Sequence, residues 1–489
     1  MDDKQTIRQR MDAFKAYIPF LDEHGINETI LIQIINEHEP IKREIEVLQK
    51  RYDTTDVPIM ERPVLELPIA SENMKRIDQL INNKLNNAFD ADVIDTKVGY
   101  FLGNPINYVV EKDSPNFEML TTTIDEMRTR ESMPLKDTST GIQASIAGYG
   151  ARLVYWSENN GKQVLRVSNV NPAECIFLYH ENMHEPSYAI QHYSTTRIKF
   201  DGTKMKVQVA EFHDNENTWF FESGTSGYEL VDVKPHYLLN PPLFGVENND
   251  ALQGEASKIL ALIDAYDRTM SDANSEVEAT RLAILVLRNI GMDEDDIQKL
   301  NKAGVFEMWG NDSADIKYLT KDVNDTMIEH LLDRLDKNIT RFSKSVNFND
   351  EAFGGNISGI AMRFKIFALE FKTILSEQRF RSALTYQFKL LCAGWSLLNI
   401  CNPDDYLKIW FGFKRNLPSN IKEEAEIQSI LQGRVSERTR LSLLSFIDDV
   451  DAEIEAMKQE KAEFQGELEV LKRKRIEDPD DDDKTAGDE

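Results

Sequence analysis

The chain has 489 residues and a mass of 56.2 kDa, about three times the length at which one hydrophobic core is the natural unit, so several domains are expected. Hydrophobic residues make up 41% and charged residues 29%, which excludes a wholly disordered or low-complexity chain. The 57 Lys and Arg against 84 Asp and Glu leave a net charge of −27, which excludes a protein that wraps nucleic acid over its general surface; any such contact must be local.

The N-terminus MDDKQTIRQR has no apolar stretch behind it, and the longest aliphatic run, Leu282 to Leu287, is too short to cross a bilayer. No secretion signal or membrane contact is expected. Cys175, Cys392 and Cys401 are too few and too scattered for a disulfide framework and form no zinc motif, so a reducing compartment fits and no cofactor is expected.

In chain order, residues 27–52 carry Ile30, Leu31, Ile34, Ile35, Ile41, Ile45 and Leu48 at a helical period that Pro40 is expected to interrupt. From Val109 to about Tyr237 the texture turns β-prone, with ARLVYW (151–156), ECIFLY (174–179), SYAIQHY (187–193) and KVQVAEF (206–212). Asn159-Asn160-Gly161 and Asp201-Gly202 between such runs predict antiparallel hairpins, and the region is read as α+β.

After Pro241-Pro242, the spacing of Ile259, Ile263, Tyr266, Met270, Ala273 and Val277 predicts one long amphipathic helix. A mixed segment follows, with LAILVL (282–287) as a strand, 291–303 as a short helix and VFEMW (305–309) as another strand. A second helix starts near Asn324, with Ile328, Leu331, Leu332, Leu335, Ile339, Phe342 and Val346 on one face. It ends in the turn-prone run 347–356, where Gly354-Gly355 cannot easily continue a helix.

Ser358 is a plausible N-cap for a helix reaching about Leu398, with Ile360, Phe364, Phe367, Phe371, Ile374 and Leu375 recurring along it; at 1.5 Å per residue it would span about 60 Å. YLKIWFGF (406–413) reads as a strand, and a helical C-terminal part follows, seamed by Ile447, Val450, Ile454, Met457, Phe464, Leu468 and Leu471. The ending EDPDDDDKTAGDE has no apolar anchor and is expected to be disordered.

One string looks catalytic. His180-Glu181-Asn182-Met183-His184 matches HExxH, in which two histidines one helical turn apart bind zinc and the glutamate acts as general base. That chemistry needs a helix, whereas these residues fall between two strand-like runs with Pro186 just after, so a polar turn is the preferred reading and a zinc metalloprotease a remote alternative. Gly148-Tyr149-Gly150 lacks the third glycine of a dinucleotide site, and no GxxxxGK[ST] or GxSxG string occurs. Catalysis has no positive support.

Several segments together resemble the portal proteins of tailed bacteriophages, of the type found in long-tailed phages of Gram-positive hosts. NNKLNNAFDADVIDTKVGYFLGNPINY (82–108) and YGARLVYWSENNGKQVLRVSNVNPAECIFLY (149–179) are similar to that family's wing, and QGEASKILALIDAYDRTMSDANSEVE (253–278) to its first stem helix. SGIAMRFKIFALEFKTILSEQRF (358–380) resembles the long helix after its tunnel loop, and IWFGFKRNLPSN (409–420) the strand leading to its crown.

The resemblance implies an N-terminal helical region (1–60), an α+β wing (61–252), a stem helix (253–280), a small α/β clip (281–323) inserted before a second stem helix (324–346), and a tunnel loop (347–357). A long wing helix and strand (358–418), a helical crown (419–475) and an acidic tail (476–489) would complete the chain. It further implies a ring of twelve identical subunits at one capsid vertex, assembled in the host cytoplasm, with double-stranded DNA passing through its axis. Terminase large subunit, head-completion protein, scaffolding protein and major capsid protein would be its partners, and it would not be an enzyme.

Carried onto this sequence, the tunnel loop would present Asn347, Phe348, Asn349, Asp350, Glu351, Phe353, Gly354, Gly355 and Asn356, with Arg341 and Lys344 just before it steadying phosphates transiently. Asp293, Glu294 and Asp295 of the clip would face the packaging motor. An acidic wall suits such a conduit, because each basic group that grips a phosphate adds friction. A non-viral ring-forming or coiled-coil adaptor with no DNA role is the competing expectation.

Overall fold

The computed structural model describes residues 6–63, 81–159, 161–224, 227–280, 284–288, 315–319, 325–347, 364–416, 421–441 and parts of 443–465. They form two compact units, 1–416 and 417–489. The first opens with α1 (Ile7–Ala13), capped by Thr6 and Gln9 in a reciprocal capping box, and α2 (Ile18–His24). Next, α3 (Glu28–Tyr52) runs unbroken through Pro40, against expectation. The reason is packing: Leu31, Ile34, His38, Ile41 and Ile45 bury one stripe, while Pro40 and the Asn36 carbonyl it deprives of a donor are exposed, where water can serve that carbonyl.

Then come α4 (Phe89–Leu102), β1 (Asn107–Val110), α5 (Phe117–Arg130) and α6 (Met133–Ala147). The two helices at 117–147 correct the expectation of β texture from Val109 onward. Leu120, Ile124 and Met127, spaced four and three apart, bury one face of α5, and Pro134 sits in the first turn of α6. Gly148, at φ +93°, closes α6, and a Cβ there would collide with the Leu252 carbonyl. That accounts for the first glycine of the Gly-Tyr-Gly string without any phosphate.

The strands β2 (Tyr149–Asn159) and β3 (Lys162–Val170) form the hairpin predicted at Asn-Asn-Gly. Beyond them, β4 (Cys175–Leu178), β5 (Tyr188–Ile198), β6 (Lys204–His213), β7 (Asn217–Ser223) and β8 (Tyr228–Pro235) make a five-stranded antiparallel meander in chain order. With β9 (Leu243–Glu247), β2 and β3 form a three-stranded sheet of order β3-β2-β9.

After β9, α7 (Leu260–Thr280) is followed by an antiparallel pair, β10 (Ile284–Arg288) and β11 (Asp315–Leu319), and then by α8 (Asp325–Ser343). The β11 strand was not foreseen, while the helix expected at 291–303 and the strand at 305–309 lie outside the described residues. A 31-residue helix, α9 (Phe367–Leu397), follows; the proposed cap Ser358 is likewise outside them. Of the strand expected at 406–413, only β12 (Ile409–Gly412) forms, paired with β1. Asn402 and Asp405 cap each other across Pro403 and turn 403–408 into a 3₁₀ helix instead.

Two cores hold this unit. In one, α1–α3 pack on the five-stranded meander through Met11, Phe14, Leu31, Ile34, Ile176, Phe177 and Phe212. In the other, α4–α6 and α9 pack on the three-stranded sheet through Phe101, Leu120, Met127, Val154, Phe244, Phe388 and Trp395. The second unit contains α10 (Ile421–Leu431), α11 (Glu437–Leu441) and a helical stretch at 453–462. Of the apolar seam expected from Ile447 to Leu471, Ile447, Val450, Ile454 and Met457 are half-buried and Phe464 is exposed, while Leu468, Leu471 and the whole acidic tail lie outside the described residues.

Candidate functional site

The catalytic-looking string is a turn. His180 to His184 connect β4 to β5 without helical geometry, so the two imidazoles are not stacked one helical turn apart as a zinc site requires. Met183 is buried, its N–H donates to Glu247 Oε1 at 3.2 Å, and the Glu181 carbonyl accepts from Arg8 at 3.1 Å. Burial pushes the His184 imidazole below its ordinary pKa, so it stays neutral. Among the described residues no group of three His, Cys, Asp or Glu could hold a metal ion.

The α7–α8 pair is different in kind. Its shared core is small: Ile259, Ile263 and Ile339 meet Val93 and Ala256. On another face of α7, the extended segment 83–87 lies along the helix, and the backbone N–H groups of Asn83, Leu85 and Asn87 donate to Ser275, Ser271 and Asp267 at 3.1, 2.9 and 3.0 Å. The match is geometric, because two extended residues advance about 6.6 Å and four helical ones about 6 Å. The signal was legible as the stripe Asp267, Ser271, Ser275 at i, i+4, i+8, which an apolar reading passes over. Apart from Arg268, the charged side chains of α7 are Asp264, Asp267, Asp272, Glu276 and Glu278.

The apolar seam expected on α8 is only half covered. Leu335, Ile339 and Val346 are buried, but Leu331 and Phe342 are exposed. The N-terminal half of α9 continues the pattern: Phe367, Phe371, Ile374 and Leu375 lie along one face and are exposed, as is Phe364 at 78%. Among the described residues, these faces, which the apolar spacing marks for burial, are left bare.

Arg341 and Lys344 stand beside this strip, both exposed. The Arg341 guanidinium lies 5.9 Å from the Phe342 ring centre and the Lys344 ammonium 5.6 Å from that of Phe371. The chain leaves α8 through a Schellman-type turn, with Ser345 N–H to the Thr340 carbonyl at 3.2 Å and Lys344 N–H to the Arg341 carbonyl at 3.3 Å. Lys344 occupies the left-handed position at φ +55°, which favours glycine. Of the loop expected at 347–357, only Asn347, exposed, is among the described residues. Phe348, Asn349, Asp350, Glu351, Phe353, Gly354, Gly355 and Asn356 lie outside the described residues, as do Asp293, Glu294 and Asp295.

Sequence reasoning missed the group that anchors this turn. Lys372 of α9 donates to the Ser343 carbonyl at 2.9 Å, placing a cation at the negative end of α8, and pairs with Glu255 at 2.8 Å. Glu255 also accepts from Lys97 of α4 at 2.5 Å, and Lys97 donates to Asn248 at 2.6 Å. Burial alone would push the Glu255 carboxyl up, but the Lys97 and Lys372 ammoniums outweigh it and hold it down at about 2. Burial, with two ammoniums sharing one carboxylate, pulls Lys372 below its ordinary range. Four elements are thereby tied together where α8 ends. The only hint in the sequence is a lysine at 97 inside the otherwise apolar end of α4.

Residues 31–467 match the family model described as phage portal protein, SPP1 Gp6-like. A portal protein of Clostridium phage phiCD119 is 25% identical over 390 residues, covering 76% of this chain and 83% of the relative. The portal protein of Bacillus phage SPP1 is 21% identical over 467 residues, covering 90% and 88%.

Proposed function

The chain belongs to the SPP1 Gp6-like family of phage portal proteins, and from that premise we propose that it forms a ring of twelve identical subunits through which double-stranded DNA enters the capsid and later leaves it. The observation that carries the ring is the bare apolar strip of Leu331, Phe342, Phe367, Phe371, Ile374 and Leu375. Burying one such large side chain is worth about 1.5–3 kcal/mol, and a neighbouring copy supplies the cover at every subunit at once. Phage portal proteins are virion components, and no helix among the described residues is long and apolar enough to cross a membrane.

In this reading α7 and α8 form the stem. Residues 281–323 form the clip that meets the terminase large subunit and afterwards the head-completion protein, with Asp293, Glu294 and Asp295 as docking charges. Residues 347–357 form the tunnel loop, and Arg341 and Lys344 become rings of charge at its base. Scaffolding and major capsid proteins contact the outer parts of the ring, which assembles in the host cytoplasm. The role is structural, since motor chemistry belongs to the terminase.

The test is Asp350→Lys. It adds two charges per subunit on a ring where neighbouring sites fall within a Debye length of about 8–10 Å, so DNA packaging should stall or slow while rings still assemble with near-normal thermal stability. Full-length packaging at the wild-type rate across low and moderate salt would show that this loop does not line the DNA path.

A further inference from the structure

The β5–β6 hairpin projects as an arm. Backbone pairing with β4 stops at Gln191 and with β7 at Val209, yet β5 and β6 stay paired out to Ile198 and Lys204. From Ser194 to Lys206 every side chain but Thr195 is exposed. The tip is built rather than loose: Gly202 N–H donates to the Lys199 carbonyl and Lys199 N–H to the Thr203 carbonyl, both at 2.9 Å, and Asp201 accepts from Thr203 N–H at 2.9 Å.

What the arm carries is unusual for this chain. Arg197, Lys199, Lys204 and Lys206 stand against one acid, Asp201, in a protein of net charge −27. Glu222 pairs with Arg197, but Lys199, Lys204 and Lys206 have no carboxylate within ion-pair distance among the described residues. The tip is apolar, with Phe200 fully exposed and Ile198 70% exposed. An aromatic anchor ringed by lysines is the form of a protein-docking knob for an acidic, pocketed surface.

The same chain bears such a surface. An open cup of about 450 Å³ is lined by Phe20, Ile26, Ile30, Phe221 and Leu230, with Glu28 at its wall. The exposed acids Asp22 and Glu23 lie between Phe20 and Ile26 in the chain. An arm cannot reach its own cup. Leu230 pairs with Phe221 and Phe221 with Ala210, nine residues along β6 from Asp201, or roughly 30 Å of rigid strand. We infer that the Phe200 arm docks into the Phe20–Phe221–Leu230 cup of a second copy of this chain. Because knob and cup are different surfaces, the contact is head-to-tail, the kind whose repetition builds a ring when the rotation between copies closes. The inference rests on the ring reading and gives it a specific contact in the sheet region, separate from the α8–α9 strip.

The test uses the full-length chain with Phe200→Cys and Leu230→Cys combined; Cys175, Cys392 and Cys401 are buried and do not compete. Mild oxidation with diamide should link successive copies into a ladder on non-reducing gels, whereas either single variant should stop at dimers. Phe200→Asp should raise the concentration at which rings half-dissociate roughly thirtyfold, with unfolding of the monomer unchanged. Rings of the double-cysteine variant that give no ladder, together with rings that survive Phe200→Asp, would overturn this contact and leave the ring reading standing, whereas a wild-type chain that stays at 56.2 kDa would sink both. If instead Lys199→Ala, Lys204→Ala and Lys206→Ala together leave rings intact but abolish a DNA gel shift, the arm serves nucleic acid and the inference is wrong.

Discussion

The sheet-bearing body and the α7–α8–α9 region are built to opposite standards of completeness. In the body, even the buried charges have partners inside the chain: Arg152 reaches Asp137, Thr140 and Gln387 at 2.6, 2.9 and 2.9 Å, joining β2, α6 and α9. In the helical region a small core holds α7 to α8, and aromatic side chains face solvent along α8 and the start of α9. In the proposed ring, the contrast separates a part that folds as one copy from a part left for neighbouring copies to complete. Stability of the subunit and stability of the assembly therefore depend on different residues.

The comparison breaks most visibly at Arg152. Arg152→Ala strands the buried Asp137 carboxylate, and denaturant unfolding should show a loss of about 3–5 kcal/mol, with assembly failing only because the body fails. A loss below about 1 kcal/mol would show that the body is not held by its paired charges.

Acid probes the junction between the two regions. The Glu255 carboxylate, held at about 2 against an unfolded value of 4.5, contributes stability that is fully present above about pH 4.5 and is lost as pH falls through about 2. That contribution is on the order of 3 kcal/mol. Glu255→Gln should flatten the acid limb of a stability–pH profile between those limits, and an unchanged limb would remove the carboxylate from the account.

A smaller effect of opposite sign is expected at Lys344. Lys344→Gly relieves a left-handed lysine and should stabilise the end of α8 by about 1 kcal/mol while removing one charge per subunit beside the loop. Greater thermal stability with altered packaging would show that the lysine is kept for its charge. Lower stability would show that its contact with Phe371 outweighs the backbone cost.

How much of this was legible follows the range of the forces. Periodicity and turn chemistry act over a few residues, so α7, α8 and the hairpins at Asn160-Gly161 and Asp201-Gly202 could be read directly. Pro40 misled because burial of Ile34, His38 and Ile41 overrides a local helix breaker, and α5 and α6 were hidden under a β-prone average taken over too long a window. At the site, Arg341 and Lys344 could be picked by position. The Lys97–Glu255–Lys372 group could not, since its members are 158 and 117 residues apart in sequence and no pattern links them. Periodicity marks the face of α9 as apolar, but only the fold shows that it is exposed among the described residues.

The most direct test of the central claim, that the helical region is completed by neighbouring copies, is the solution mass of the wild-type chain and of Phe371→Asp, measured by light scattering across concentration and salt. The account predicts a species of several hundred kilodaltons for the wild type, and for the variant a 56.2 kDa monomer whose unfolding is shifted by less than about 0.5 kcal/mol. A wild-type chain that remains monomeric at micromolar concentration under all conditions, or a Phe371→Asp chain that assembles as the wild type does, would contradict it.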